Sequence, residues 1–178
     1  TEIIKGEIVI LRIMQKKTSV FLIVSLMFIF LVSCDTKAVF DEYKSLPNQW
    51  NKDNIVSFQL ESPDSTNTYN LYVNIRNNND YKFSNLYLII GLEYPNGKTL
   101  VDTLEYKMAA PDGTLLGEGF TDVKENKLWY KGYKVPFVFN ELGTYTFTVQ
   151  HAMRKFGDVN GVDDLEGITE VGFRVENK

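Results

Sequence analysis

From residue 55 onward, apolar and polar residues alternate with period two through most of the chain. Residues 69–76 (YNLYVNIR) set Leu71, Val73 and Ile75 on one side and Asn70, Tyr72, Asn74 and Arg76 on the other, the pattern of a half-buried strand. Residues 85–94 (NLYLIIGLEY) put Leu86, Leu88, Ile90 and Leu92 on one face, and Tyr87 and Ile89 opposite them predict a more central strand. Residues 55–60 (IVSFQL), 99–106 (TLVDTLEY), 144–154 (TYTFTVQHAMR) and 168–176 (ITEVGFRVE) are also strand-like. Residues 128–139 (LWYKGYKVPFVF) predict a strand at an edge or broken at Pro136. The glycines of 115–120 (LLGEGF) predict a bent strand or a bulge. Turn residues separate these runs: SPDSTNT at 62–68, NNND at 77–80, PDG at 111–113 and NELG at 140–143. The strongest hairpin signal is PNG at 95–97, because Asn-Gly accepts positive φ. About eight short strands, with no helical run beyond two turns, predict an all-β fold. Half-polar strands need antiparallel sheets with one wet face, so the expected architecture is a jelly-roll-like antiparallel β-sandwich.

The first 54 residues break this pattern. Twelve of the thirteen residues at 20–32 are apolar, and the uncharged run 18–34 is 17 residues long. A membrane-spanning helix needs about 20 apolar residues. A buried core helix would carry polar residues on one face. A short apolar core behind Lys16 and Lys17 instead fits an export signal. It ends at Leu31-Val32-Ser33-Cys34, which resembles a bacterial lipobox; that resemblance implies acylation of Cys34 and cleavage just before it. Two or more acyl chains would anchor the mature chain stably. Met14 is a more natural start than Thr1. The expected division is therefore an upstream artefact at 1–13, a lipoprotein signal peptide at 14–33, a tether and lead-in segment at 34–54, and the sandwich domain at 55–178. Phe40, Tyr43 and Trp50 in the lead-in could dock on the domain.

Charge sharpens the division. The net charge is −4; Lys5, Arg12, Lys16 and Lys17 against Glu2 and Glu7 give residues 1–33 a total of +2, which leaves −6 on the rest. An acidic body argues against a nucleic-acid partner. The single cysteine makes no internal disulfide. The single histidine, His151, lies in phase with Tyr145, Phe147 and Val149 and is expected to be structural. With one histidine and a lipidated cysteine, no cysteine–histidine nucleophile pair is available. Asp64, Asp102 and Asp112 are expected as turn or surface carboxylates. Residues 158–166 gather Asp158, Asp163, Asp164 and Glu166, but their spacing fails the EF-hand pattern, so a solvated loop is favoured over a calcium site. Trp50, Trp129, Tyr130 and Tyr133 are candidates for a sugar-stacking platform, against the commoner reading of strand aromatics as core.

Several stretches in order carry a wider resemblance: the lipobox, YKSLPNQW (43–50), IRNNNDYKFSNLYL (75–88), PDGTLLGEG (111–119), VQHAMR (149–154) and LEGITEVGFRVE (165–176). Together they resemble the GldH-type gliding-motility lipoproteins over almost all of residues 34–178. Lys82 stands where a small residue or proline is expected, and Phe173 where an aliphatic is common. The resemblance implies a lipid-anchored, non-catalytic envelope protein, most simply at the outer membrane, acting with other motility or secretion lipoproteins. It implies no cofactor, no metal and no catalytic residue; Cys34 is the one site residue, as the lipidation site. The alternative function is a glycan-binding sandwich module.

Overall fold

The computed structural model describes residues 37–119 and 121–178. The expected artefact and signal segments, Cys34 and Phe120 lie outside the described residues. Ten strands follow one another: β1 (Ala38–Ser45), β2 (Gln49–Asn51), β3 (Val56–Glu61), β4 (Tyr69–Asn77), β5 (Asn85–Glu93), β6 (Thr99–Lys107), β7 (Lys124–Lys131), β8 (Thr144–His151), β9 (Asp164–Glu166) and β10 (Ile168–Asn177). Every ladder is antiparallel. Two four-stranded sheets run β1-β10-β4-β7 and β3-β8-β5-β6, and β2 pairs with β9 apart from them. With those two short strands set aside, the eight long ones are ordered first-eighth-third-sixth and second-seventh-fourth-fifth. That is the wiring of a jelly roll, and the chain is an all-β antiparallel sandwich.

The alternation read from the sequence fixes which face is buried. Leu71, Val73 and Ile75 of β4, Val171, Phe173 and Val175 of β10, Leu86, Leu88, Ile90 and Leu92 of β5, and Tyr145, Phe147 and Val149 of β8 all point into one core. Phe173 stacks on Phe147 at 4.2 Å and approaches Phe58 at 5.9 Å, joining the two sheets across their middle. Tyr69, Phe139 and Tyr145 close one end with centroids 5.2 and 4.9 Å apart. Burying one such ring contributes roughly 2–3 kcal/mol.

The structure corrects the pattern in three places. Within 34–54, expected as a tether and lead-in, β1 pairs with β10 through seven of its residues, skipping Val39, and Trp50 is fully buried. β1 is an edge strand whose inward side carries Phe40, Glu42 and Lys44; Lys44 reaches over the Phe58 ring at 5.4 Å, its stem covering apolar surface while its charge stays wet. Mixed charges on the inner side hide the alternation. The strand expected at 128–139 instead occupies Lys124–Lys131, because Asn126 faces inward, satisfied by donating to Asn77 Oδ1 at 2.8 Å. Phe137 and Phe139 still reach the core, from an irregular segment. Residues 115–119 form no strand; Leu115 bridges to Ala109 and Glu118 to Glu125.

Candidate interaction surface

The outward face of the β1-β10-β4-β7 sheet is built in rows by the strand register. Ser45, Glu170, Arg76 and Glu125 lie in one row; Tyr43, Gly172, Asn74 and Lys127 in the next; Asp41, Arg174, Tyr72 and Trp129 in the third. Arg76 is the hub. Its Nε donates to Glu125 Oε2 at 2.8 Å and its Nη1 donates to Glu170. Ser45 Oγ donates to the other oxygen of Glu170 at 3.2 Å. The guanidinium also lies 4.3 Å from the Tyr43 ring centre. Glu125 holds the Arg76 charge more firmly than usual, ahead of the opposing effect of burial.

Tyr43 closes the network. Its hydroxyl donates to Glu125 Oε1 at 2.9 Å and accepts from Asn74 Nδ2 at 2.7 Å. Burial, with Glu125 adding to it, pushes that hydroxyl up to about 12. The ring lies on Gly172, where an added Cβ would come within 2.7 Å of it. Only a glycine leaves room for the ring to cover the sheet there. A second cluster joins the next rows: Glu176 accepts from Lys127 Nζ and Arg174 Nε, both at 2.7 Å, and Arg174 also pairs with Asp41. Burial raises the Glu176 carboxyl, but these donors outweigh it, so it is held below its usual range. Each partly exposed pair contributes at most about 1 kcal/mol. Their joint effect is to fix the positions of charges and hydrogen-bonding groups on a flat face. An open groove of about 470 Å³ beside it is lined by Ser45, Arg76, Glu118, Thr121 and Glu170.

Other candidate residues are dispersed. His151 is buried, edge-on to Trp50 at 5.4 Å, and its Nδ1 accepts from the Met153 N–H at 3.4 Å; burial holds its imidazole below the usual range, the Trp50 backbone opposing only in part. Asp64 accepts from the Thr66 N–H and Oγ1, both at 2.8 Å, and Asp112 accepts from the Thr114 N–H at 3.0 Å, as turn carboxylates do. Asp102 leaves edge strand β6 inward and pairs with Lys131 at 2.6 Å and the Tyr130 hydroxyl at 3.1 Å, tying the two sheets together. In the acidic loop, Asp163 pairs with Lys52 at 2.5 Å and Asp164 accepts from Asn51 at 2.8 Å. Among the described residues no three His, Cys, Asp or Glu side chains are grouped to hold a metal ion.

The four candidate aromatics separate. Trp50 is internal, its Nε1 donating to Asn54 O at 2.8 Å, and Tyr130 packs inward near Phe173. Trp129 and Tyr133 remain outward, 39% and 69% exposed, with rings 5.3 Å apart; Tyr72 flanks Trp129 at 4.5 Å. The pattern missed the network on Arg76, since its members come from four strands far apart in the chain.

The GldH lipoprotein family is matched across residues 38–175. The chain belongs to this family. A gliding motility lipoprotein GldH of Flavobacterium johnsoniae is 56% identical over 150 residues, covering 84% of this chain and 91% of that protein. A gliding motility lipoprotein GldH homolog of Christiangramia forsetii is 52% identical over 163 residues, covering 92% of this chain and 98% of that one. Among solved structures, a family GH115 4-O-methyl-α-glucuronidase aligns at a TM-score of 0.40 and 11% identity; the alignment covers 80% of this chain and 18% of the enzyme. The family match covers β1 to β9 and β10 as far as Val175, including every member of the Arg76 network.

Proposed function

We propose that this GldH-family chain is a lipid-anchored component of the gliding-motility apparatus at the outer membrane, acting without catalysis as a docking scaffold for other motility or secretion lipoproteins. The observation that carries the scaffold role is the Arg76-centred face. Arg76 engages both Glu125 and Glu170, and Tyr43 is locked between Glu125 and Asn74. Groups held this way offer fixed charges and hydrogen bonds to a partner at little ordering cost, which favours recognition. The motility assignment is supported by the names of the two relatives, and the anchor by the family and by Cys34.

Photo-crosslinking tests the scaffold role. A photoreactive residue replaces Lys127 on the Arg76 face, or Thr103 on the outer face of the other sheet, and crosslinks are captured from intact cells. Crosslinks from position 127 to envelope lipoproteins, absent at position 103, are expected. Equal yields at both positions, or none, count against it. A second reading, glycan binding, is favoured by the outward Trp129–Tyr133 pair alone. Polysaccharide binding that is lost on Trp129→Ala would support it.

A further inference from the structure

One end of the sandwich combines three features. β1 begins there at Ala38, opposite Glu176, and the register carries that row across β10 and β4 to the end of β7. The segment after β7 returns to bridge Phe137 to Tyr69 at the same end. Between Gly132 and Phe137 the chain makes a short loop whose tip, Tyr133, Lys134, Val135 and Pro136, is exposed; Val135 is 76% exposed. The loop is held at both ends. A Cβ at Gly132 would meet Tyr69 O at 2.3 Å, Lys178 Nζ donates to Gly132 O at 2.9 Å, and Phe137 is buried. Trp129 stands behind Tyr133. An aromatic pair, a valine and a lysine at a rigid tip suit the boundary between headgroups and acyl chains, where Trp and Tyr concentrate and Lys meets anionic lipid.

The position of Cys34 says which surface meets that tip. Only four peptide links separate Cys34 from Ala38, a reach of at most about 14 Å. β7 lies three strand spacings from β1, about 14 Å across the sheet. The opposite end of the sandwich also exposes apolar side chains, Phe156 and Val159, but it lies a whole strand further away, about 25 Å. An acylated Cys34 therefore keeps Ala38, and with it the Tyr133 end of the sandwich, close to the bilayer.

We propose that the loop at residues 132–137, backed by Trp129, is the membrane-facing surface of the anchored protein: Tyr133 and Val135 enter the headgroup boundary and Lys134 meets anionic phosphates. This rests on acylation of Cys34, part of the function proposed above. It holds the domain end-on, with the Arg76 face standing beside the bilayer and open to partners.

The test uses the full acylated chain, purified from a lipoprotein-processing host and reconstituted into phosphatidylethanolamine–phosphatidylglycerol vesicles. Some vesicles carry phospholipid brominated near the glycerol. Trp50 and Trp129 are the two tryptophans, and Trp50 is fully buried, so it supplies an unquenched baseline. Flotation with the vesicles reports the anchor. Bromolipid should quench part of the emission, Trp129→Phe should abolish that quenching, and Tyr133→Ser with Val135→Ser should roughly halve it as apolar contact is lost. A chain that floats with unquenched emission overturns the orientation and leaves the anchor standing. A chain that does not float overturns both. Emission that responds to soluble polysaccharide and not to bromolipid assigns the aromatic pair to a glycan and also overturns the proposal.

Discussion

Replacing Gly172 with alanine should unseat Tyr43 and report how much the polar face adds to stability. The new Cβ would lie 2.7, 2.8 and 3.1 Å from three ring carbons of Tyr43, so the ring must lift. Lifting breaks the hydrogen bonds to Glu125 and from Asn74 and the stacking of Arg76. Asn74 is almost wholly buried and its Oδ1 has no partner among the described residues, so stranding its Nδ2 costs about 1–3 kcal/mol. Losing the half-exposed cation–π contact costs about 0.5–1 kcal/mol. Alanine recovers about 0.5–1 kcal/mol over glycine in a strand. The net loss is about 2 kcal/mol, a fall in Tm of roughly 4–8 °C for a domain of this size. Thermal unfolding followed by circular dichroism measures it. The deciding comparison is a double-mutant cycle with Tyr43→Ala. With the ring gone, Gly172→Ala should become neutral or slightly stabilising. An equal loss in both backgrounds would refute the reasoning, because the strain would then lie elsewhere.

Cys34→Ala should abolish labelling by an acyl-chain probe and leave the melting temperature of the purified chain unchanged; equal labelling of both forms would sink the lipidation assignment. Phe173→Ala removes the ring that joins Phe147 and Phe58, and should cost about 3–5 kcal/mol, seen as a lower denaturation midpoint at unchanged slope. Burial lowers the folded-state affinity of His151 for a proton below its ordinary value of 6.5. The unfolded chain therefore binds the proton first on acidification: this contribution is complete above about pH 6.5 and is lost as pH falls toward the lower folded value. Tm should drop as pH falls below about 6.5, and His151→Phe should lack that slope; a wild-type Tm that stays flat there would contradict it.

The strands whose inner side is mostly apolar were legible from alternation alone, as in β4, β5, β8 and β10, where only Asn77 and His151 at strand ends add buried polar groups to the core side. β1 was not, because its inward positions are Phe40, Glu42 and Lys44, and an edge strand can leave two charges at the rim. The start of β7 was hidden because Asn126 points inward and donates to Asn77, 49 residues away. Of the candidate aromatics, Trp50 and Tyr130 went inside and Trp129 and Tyr133 stayed out, a choice made by register rather than residue type. The surface network was the least visible part. Arg76 finds Glu125 and Glu170 only once three strands are aligned, and no local spacing encodes that.

The strand order also dictates when the molecule can finish folding. β10, the last strand in the chain, is not at an edge: it sits between β1 and β4 and supplies Phe173 to the junction of the two sheets. Until residues 168–177 have emerged, the first strand has no neighbour and the central aromatic stack lacks its keystone. Pairings this distant in sequence form slowly. Such a chain resists premature closure until its last strand is present. It acquires its working surface in one late step, when its two ends meet.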